Sequence, residues 1–113
     1  MKIVDKISVA ELKEMAEKMD GNLVKADVDI AKRIVIIDMP MHFEGEQELL
    51  KQGSKQQNLW GVNLFPAYYG TDQFVVYDSM INIKPSHGNP SMDVKSEDVK
   101  TQITSIIDGV VHE

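Results

Sequence analysis

The chain has 113 residues, with 12 Lys and Arg against 18 Asp and Glu for a net charge of -6, 42% hydrophobic residues and no cysteine. One domain's worth of protein is expected, residues 1–113 forming a single globular α+β unit able to bury roughly two-thirds of its unfolded surface without staples. The missing cysteine excludes disulfides, thiolate nucleophiles and iron-sulfur clusters, and an acidic chain whose only arginine is Arg33 lacks the basic footprint of a nucleic-acid binder.

The N-terminus carries no apolar signal segment, and the longest apolar run, Ile34 to Ile37, is far short of the ~20 residues of a membrane span. A soluble cytoplasmic chain without membrane contact is expected. Residues 1–33 balance seven basic against seven acidic groups, whereas 34–113 hold five against eleven, so the whole net charge sits in the later part.

The first predicted element is a helix over residues 8–19. Ser8 and Glu11 match a capping box, Leu12, Met15, Ala16 and Met19 recur at helical spacing, and Gly21 stands where a left-handed residue ends a helix. From Asn22 the period becomes two: Ala26, Val28 and Ile30 alternate with Lys25, Asp27 and Asp29. That pattern predicts a half-buried strand with a charged outer face. Arg33 to Met39 reads as a continuous β-branched strand, paired with the first as a hairpin and ended by Pro40.

Glu44 to Gln52 is a predicted short helix with Glu44, Glu46 and Glu48 early and Gly53 as its stop. Leu59 to Phe65 is the third strand, with Trp60, Val62 and Leu64 on one face and Gly61 and Asn63 on the other. Gln73 to Lys84 is rich in β-formers, and its alternation slips at Asp78-Ser79, where a bulge is favoured over a turn because neither residue is the Gly or Asn of a tight turn. Pro85 to Asp93 is dense in turn formers. A final helix begins at Ser96, where Val99, Ile103, Ile106 and Val110 form an apolar stripe. The order α-β-β-α-β-β-α predicts an α+β fold, an antiparallel or mixed sheet of about four strands with three helices.

Chemistry-bearing groups concentrate in the polar loop of residues 82–91. Asn82, Lys84, Ser86, His87, Gly88 and Asn89 bring amide, ammonium, hydroxyl and imidazole groups to the end of a strand. Gly88 and Asn89 allow a turn whose N–H groups converge on an anion. Asp27 and Asp29 share one face of their strand about 7 Å apart, and alternation lets Asn63 and Asn82 join them in a polar surface beside the loop. The alternative for the same two aspartates is an exposed edge whose charges discourage pairing. His42, His87 and His112 lack metal-ligand spacing, so no metal and no cofactor are expected. Tyr68 and Tyr69 serve either as an aromatic contact patch or as packing over the sheet edge.

The stretches Gly53 to Gln56, Asn58 to Pro66 and Asp78 to Asn89 resemble those of a family of small prokaryotic proteins of unknown function, over nearly the whole chain. The resemblance implies no activity. In that family position 84 is often arginine and position 87 often glutamine; the first suits anion contact at Lys84, the second weighs against a general-base role for His87. The leading expectation is a binding or interaction module for a small polar ligand or a protein partner, with a homodimer open to it. The alternative is a small hydrolase or transferase using Asp27, Asp29 or His87.

Overall fold

In chain order the elements are β1 (Lys2–Val4), β2 (Ile7–Ser8), α1 (Val9–Glu17), β3 (Val24–Asp29), β4 (Ile34–Ile37), α2 (His42–Lys51), β5 (Leu59–Leu64), β6 (Val75–Val76), α3 (Glu97–Val110) and β7 (Val111–His112). The computed structural model describes all of residues 1–113. Five strands form an antiparallel sheet in the order β1-β4-β3-β5-β6, and β2 pairs in parallel with β7 in a second, two-stranded sheet. The fold is α+β with three helices, as the residue pattern predicts. The sheet has one strand more than expected because Lys2–Val4, too short to show a period, pairs with β4.

Strand β3 is central, hydrogen-bonded on both edges. Its Val24, Ala26 and Val28 join Val35, Ile37, Trp60, Val62 and Leu64 in the main core, which is closed by Leu12 and Ala16 of α1 and by Ile103, Ile106, Ile107 and Val110 of α3. The opposite face carries a smaller apolar cluster of Ile36, Met39, Leu49 and Leu59 against α2. Both faces of β3 are therefore covered, and the charged outer face expected for it is corrected: Asp27 and Asp29 are 0% and 1% exposed. Period-two alternation marks two unlike faces; it does not distinguish a face wet by solvent from one covered by a helix bringing its own polar groups.

The helix ends follow local chemistry. Ser8 accepts the Glu11 N–H at 3.1 Å and Ser96 accepts the Val99 N–H at 3.2 Å, each satisfying an N–H that the first helical turn leaves free. Ser8→Ala is expected to cost about 1 kcal/mol, read as a shifted urea midpoint with an unchanged slope. Helix α2 begins two residues earlier than predicted, because the Glu44 carboxylate accepts the Met41 N–H at 3.2 Å. No helix is long and apolar enough to cross a membrane.

The largest local correction lies after β6. Instead of one bulged strand over Gln73 to Lys84, the strand ends at Val76 and the chain makes 3-10 turns at Met80–Asn82 and Pro85–His87. Ser79 caps the first by accepting the Ile81 N–H at 3.3 Å. The edge of β5 that this strand would have paired is held by one side chain instead: Asn82 accepts the Gly61 N–H at 2.7 Å and donates to the Gly61 carbonyl at 2.9 Å. A single amide thus imitates the donor and acceptor of a neighbouring strand.

Candidate functional site

Register on the covered polar face is set by β3 and β5. Asp27 lies opposite Gly61 and Lys25 opposite Asn63. Glycine at 61 leaves space that α2 and the 79–82 turn fill: a Cβ there would stand 2.7 Å from Ser79 Oγ and 3.0 Å from His42 Nδ1. Gly45 does the same from α2, where a Cβ would meet Met39 Cε at 2.6 Å and the Asp27 carboxylate closer still. Two glycines inside regular elements are thus the condition for bringing Asp27 and His42 together.

His42 Nδ1 is 2.8 Å from Asp27 Oδ1, and His42 Nε2 is 2.9 Å from Asn63 Oδ1. The Asn63 amide nitrogen faces the Asp78 carbonyl at 3.4 Å, which turns its oxygen to His42, so Nε2 carries a proton. The Asp27–His42 contact then holds one further proton, as a carboxylate with an imidazolium or as a carboxylic acid with a neutral ring. Burial pushes the Asp27 carboxyl up to about 6; the hydrogen bond and charge of His42 pull down, and Glu46 adds a repulsion that raises it. The backbone of Glu46 lowers it slightly, and Asp27 Oδ2 is buried without a hydrogen-bond partner.

Asp29 does different work. Its Oδ1 accepts the Ala31 and Lys32 N–H groups, both at 2.9 Å, and Ser54 donates to its Oδ2 at 2.6 Å. Both oxygens are engaged in shaping the β3–β4 turn, in which Arg33 takes a φ of 58°.

The 82–91 loop divides into a bonded frame and an exposed tip. Asn82, Lys84 and Asn89 are buried. Asn89 donates to the carbonyls of Asn82 and Asp93 at 2.8 and 2.7 Å and accepts the Lys95 N–H at 2.9 Å. Lys84 donates to the Ile81 carbonyl at 2.8 Å and lies 4.9 Å from the Trp60 ring centroid. Desolvation lowers its pKa, opposed by the charges of Glu46 and Asp27. Ser86, His87 and Gly88 are exposed. The N–H groups of His87, Gly88 and Asn89 donate to the carbonyls of Lys84, Pro85 and Lys84 at 2.9, 3.2 and 3.0 Å. None is left to converge on an anion, which corrects the nest geometry expected of this turn.

Of the nine expected site residues, Asp27 and Asn63 meet in one network, Asn82 braces the strand beneath it, and Lys84 lies within electrostatic reach. Asp29 and Asn89 are tied into turns of their own. The network opens on a cleft of about 560 Å³ between α2 and the segment from Asp78 to Met92. Its floor includes His42, Glu46 and Asn63, and its rim is Met41, Phe43, Met80, Ile83 and Met92. A larger hollow of about 830 Å³ lies between β6 and α3, walled by residues such as Thr101, Ser105 and Asp108 that are solvated; it holds no buried unpaired polar atom, and the smaller cleft is the chemically distinctive one. Tyr69 packs edge-on against Phe74 at 5.1 Å, while Tyr68 stays 49% exposed.

His42 and Glu46 are the site residues that sequence reading missed. The available signal was Gly45 inside a helix and Gly61 inside a strand, each a mark of close approach. Comparison with curated proteins and with solved structures returns no match. A family model described as Protein of unknown function (DUF5674) matches residues 1–110, which takes in the whole five-stranded sheet, the three helices and both walls of the cleft. The chain belongs to that family.

Proposed function

We propose that this chain is a cytoplasmic binding module of prokaryotic cells, holding a small amphipathic ligand in the cleft between α2 and the 78–92 segment. One observation carries the reading. Nine large hydrophobic side chains are exposed over the whole surface, and five of them, Met41, Phe43, Met80, Ile83 and Met92, line this single cleft. Scattered exposed apolar residues need no explanation, whereas a group of them above a polar floor marks a contact site. The volume of about 560 Å³ falls within the roughly 300–1,000 Å³ of small-molecule sites. Methionine side chains adapt to a guest without a strict shape.

The polar floor would orient the guest through Glu46 and Asn63, with Asp27 behind His42 holding the ring in place. Binding suits this arrangement better than hydrolysis or group transfer: His42 Nε2 spends its proton on Asn63, and His87 sits outside the cleft on its exposed turn.

The test is an amide chemical-shift screen with small amphipathic compounds. Shifts are expected at residues 41–46, 78–83 and 92, and Met80→Lys should weaken binding about tenfold, by placing a flexible cation on the apolar rim. Shifts confined to Ser86, His87 and Gly88 would move the site to the exposed turn. Light scattering that shows a dimer closed over Met80 and Phe43 would replace the small ligand by a second copy.

A further inference from the structure

Glu46 stands out among the buried groups of the cleft. Its side chain is 8% exposed and lines the cleft, and its Oε2 is fully buried without a hydrogen-bond partner. Neither ion pair of the molecule includes it. The nearby cations do not pair with it: Lys84 gives its ammonium to the Ile81 carbonyl and the face of Trp60, and Lys25, which lines the same cleft from β3, forms no ion pair with it. Asp78, also on the wall, adds a second negative group. His42 and Asp27 share their extra proton and together contribute no net charge while they hold it.

An acceptor that is desolvated and unpaired costs free energy that a donor entering from the cleft would recover. The apolar rim fixes the rest of the guest's chemistry, because thioethers and the Phe43 ring solvate a hydrocarbon body, and an aromatic face tolerates a neighbouring cation. Resting on the binding reading above, we infer that the ligand is a primary alkylammonium compound: a protonated amine paired with Glu46 and an apolar body of several carbons lying along Met41, Phe43, Met80 and Met92. The acidic balance of residues 34–113, five basic groups against eleven acidic, favours the approach of such a cation.

The experiment compares hexylamine with hexanol, equal in length and differing in the charged head, by following the methyl signals of ¹³C-methyl-methionine protein. Hexylamine should shift Met41, Met80 and Met92 and bind about tenfold more tightly than hexanol, the value of a charge-assisted hydrogen bond in a desolvated site. Glu46→Gln should abolish that preference, so that the two compounds bind alike. The comparison in the unaltered chain stands even if the variant folds poorly. Equal binding of the two compounds, or a preference that survives Glu46→Gln, would overturn the assignment to Glu46 while leaving the cleft a binding site. No methionine shift with either compound would overturn both readings. Binding of a short peptide with one internal lysine, but not of hexylamine, would place the ammonium on a partner protein and overturn the small-molecule assignment.

Discussion

Asn82→Ala is expected to cost about 3 to 5 kcal/mol, more than any other exchange in the 78–93 segment. The side chain makes three buried hydrogen bonds: it accepts the Gly61 N–H at 2.7 Å and donates to the carbonyls of Gly61 and Met92, both at 2.9 Å. Removing it orphans the buried N–H and carbonyl of Gly61 on β5, each worth about 1–3 kcal/mol when left unpaired, whereas the Met92 carbonyl keeps the Ser79 N–H at 3.1 Å; the two losses overlap because one movement exposes both groups to water. Alanine also removes the hydrogen bonds that tie the 79–94 turn to Gly61 on the sheet edge. The urea midpoint should fall, and the amides of Gly61 and Ile83 should lose hydrogen-exchange protection together. Ser86→Ala, on the exposed tip of the same loop, should change stability by less than about 0.5 kcal/mol. A small effect at Asn82 would mean that the segment is held by its apolar contacts instead.

The contrast between Asn82 and Ser86 also shows how far the sequence was legible. Elements with a clear period and a cap read correctly: Ser8 and Ser96 start their helices, and Trp60, Val62 and Leu64 face the main core. What failed was the inference from polar to solvated. Asp27, Asp29, Asn82 and Asn89 are all polar and all buried; Asn89 is bonded within its own loop, whereas the other three find partners far away in the chain: Ser54 for Asp29, Gly61 for Asn82, His42 for Asp27. Separations of 25, 21 and 15 residues lie beyond what local periodicity reports. The strand order that brings β5 beside β3 supplies those contacts, and no local pattern encodes that order.

The same network predicts an inverted pH dependence. Most carboxylates in folded proteins are stabilised in their charged form and lose stability as pH falls. Asp27 behaves oppositely, since burial raises its pKa from 3.8 in the unfolded chain to about 6. The folded state then binds the proton more tightly than the unfolded state. Its stabilising contribution is complete below the unfolded value of 3.8 and is lost as pH rises through about 6, a change of about 3 kcal/mol at most. Asp27→Asn isolates this group: the amide keeps the size and the neutral form, and His42 Nδ1 can accept from it. Urea melts of the two proteins from pH 4 to pH 7 should show wild type losing about 2 kcal/mol relative to the variant as pH rises. The sign discriminates between two pictures of the pair. If His42 and Asp27 formed an ordinary favourable ion pair with an unburdened carboxylate, the carboxyl would titrate below 3.8 and wild type would gain on the variant as pH rises toward 4, with no loss near pH 6. Glu46 and Lys84 face the same carboxyl with opposite charges. Glu46→Gln should therefore lower the midpoint of the transition, and an ammonium ligand paired with Glu46 should move it in the same direction, linking occupancy of the cleft to the protonation of the buried pair.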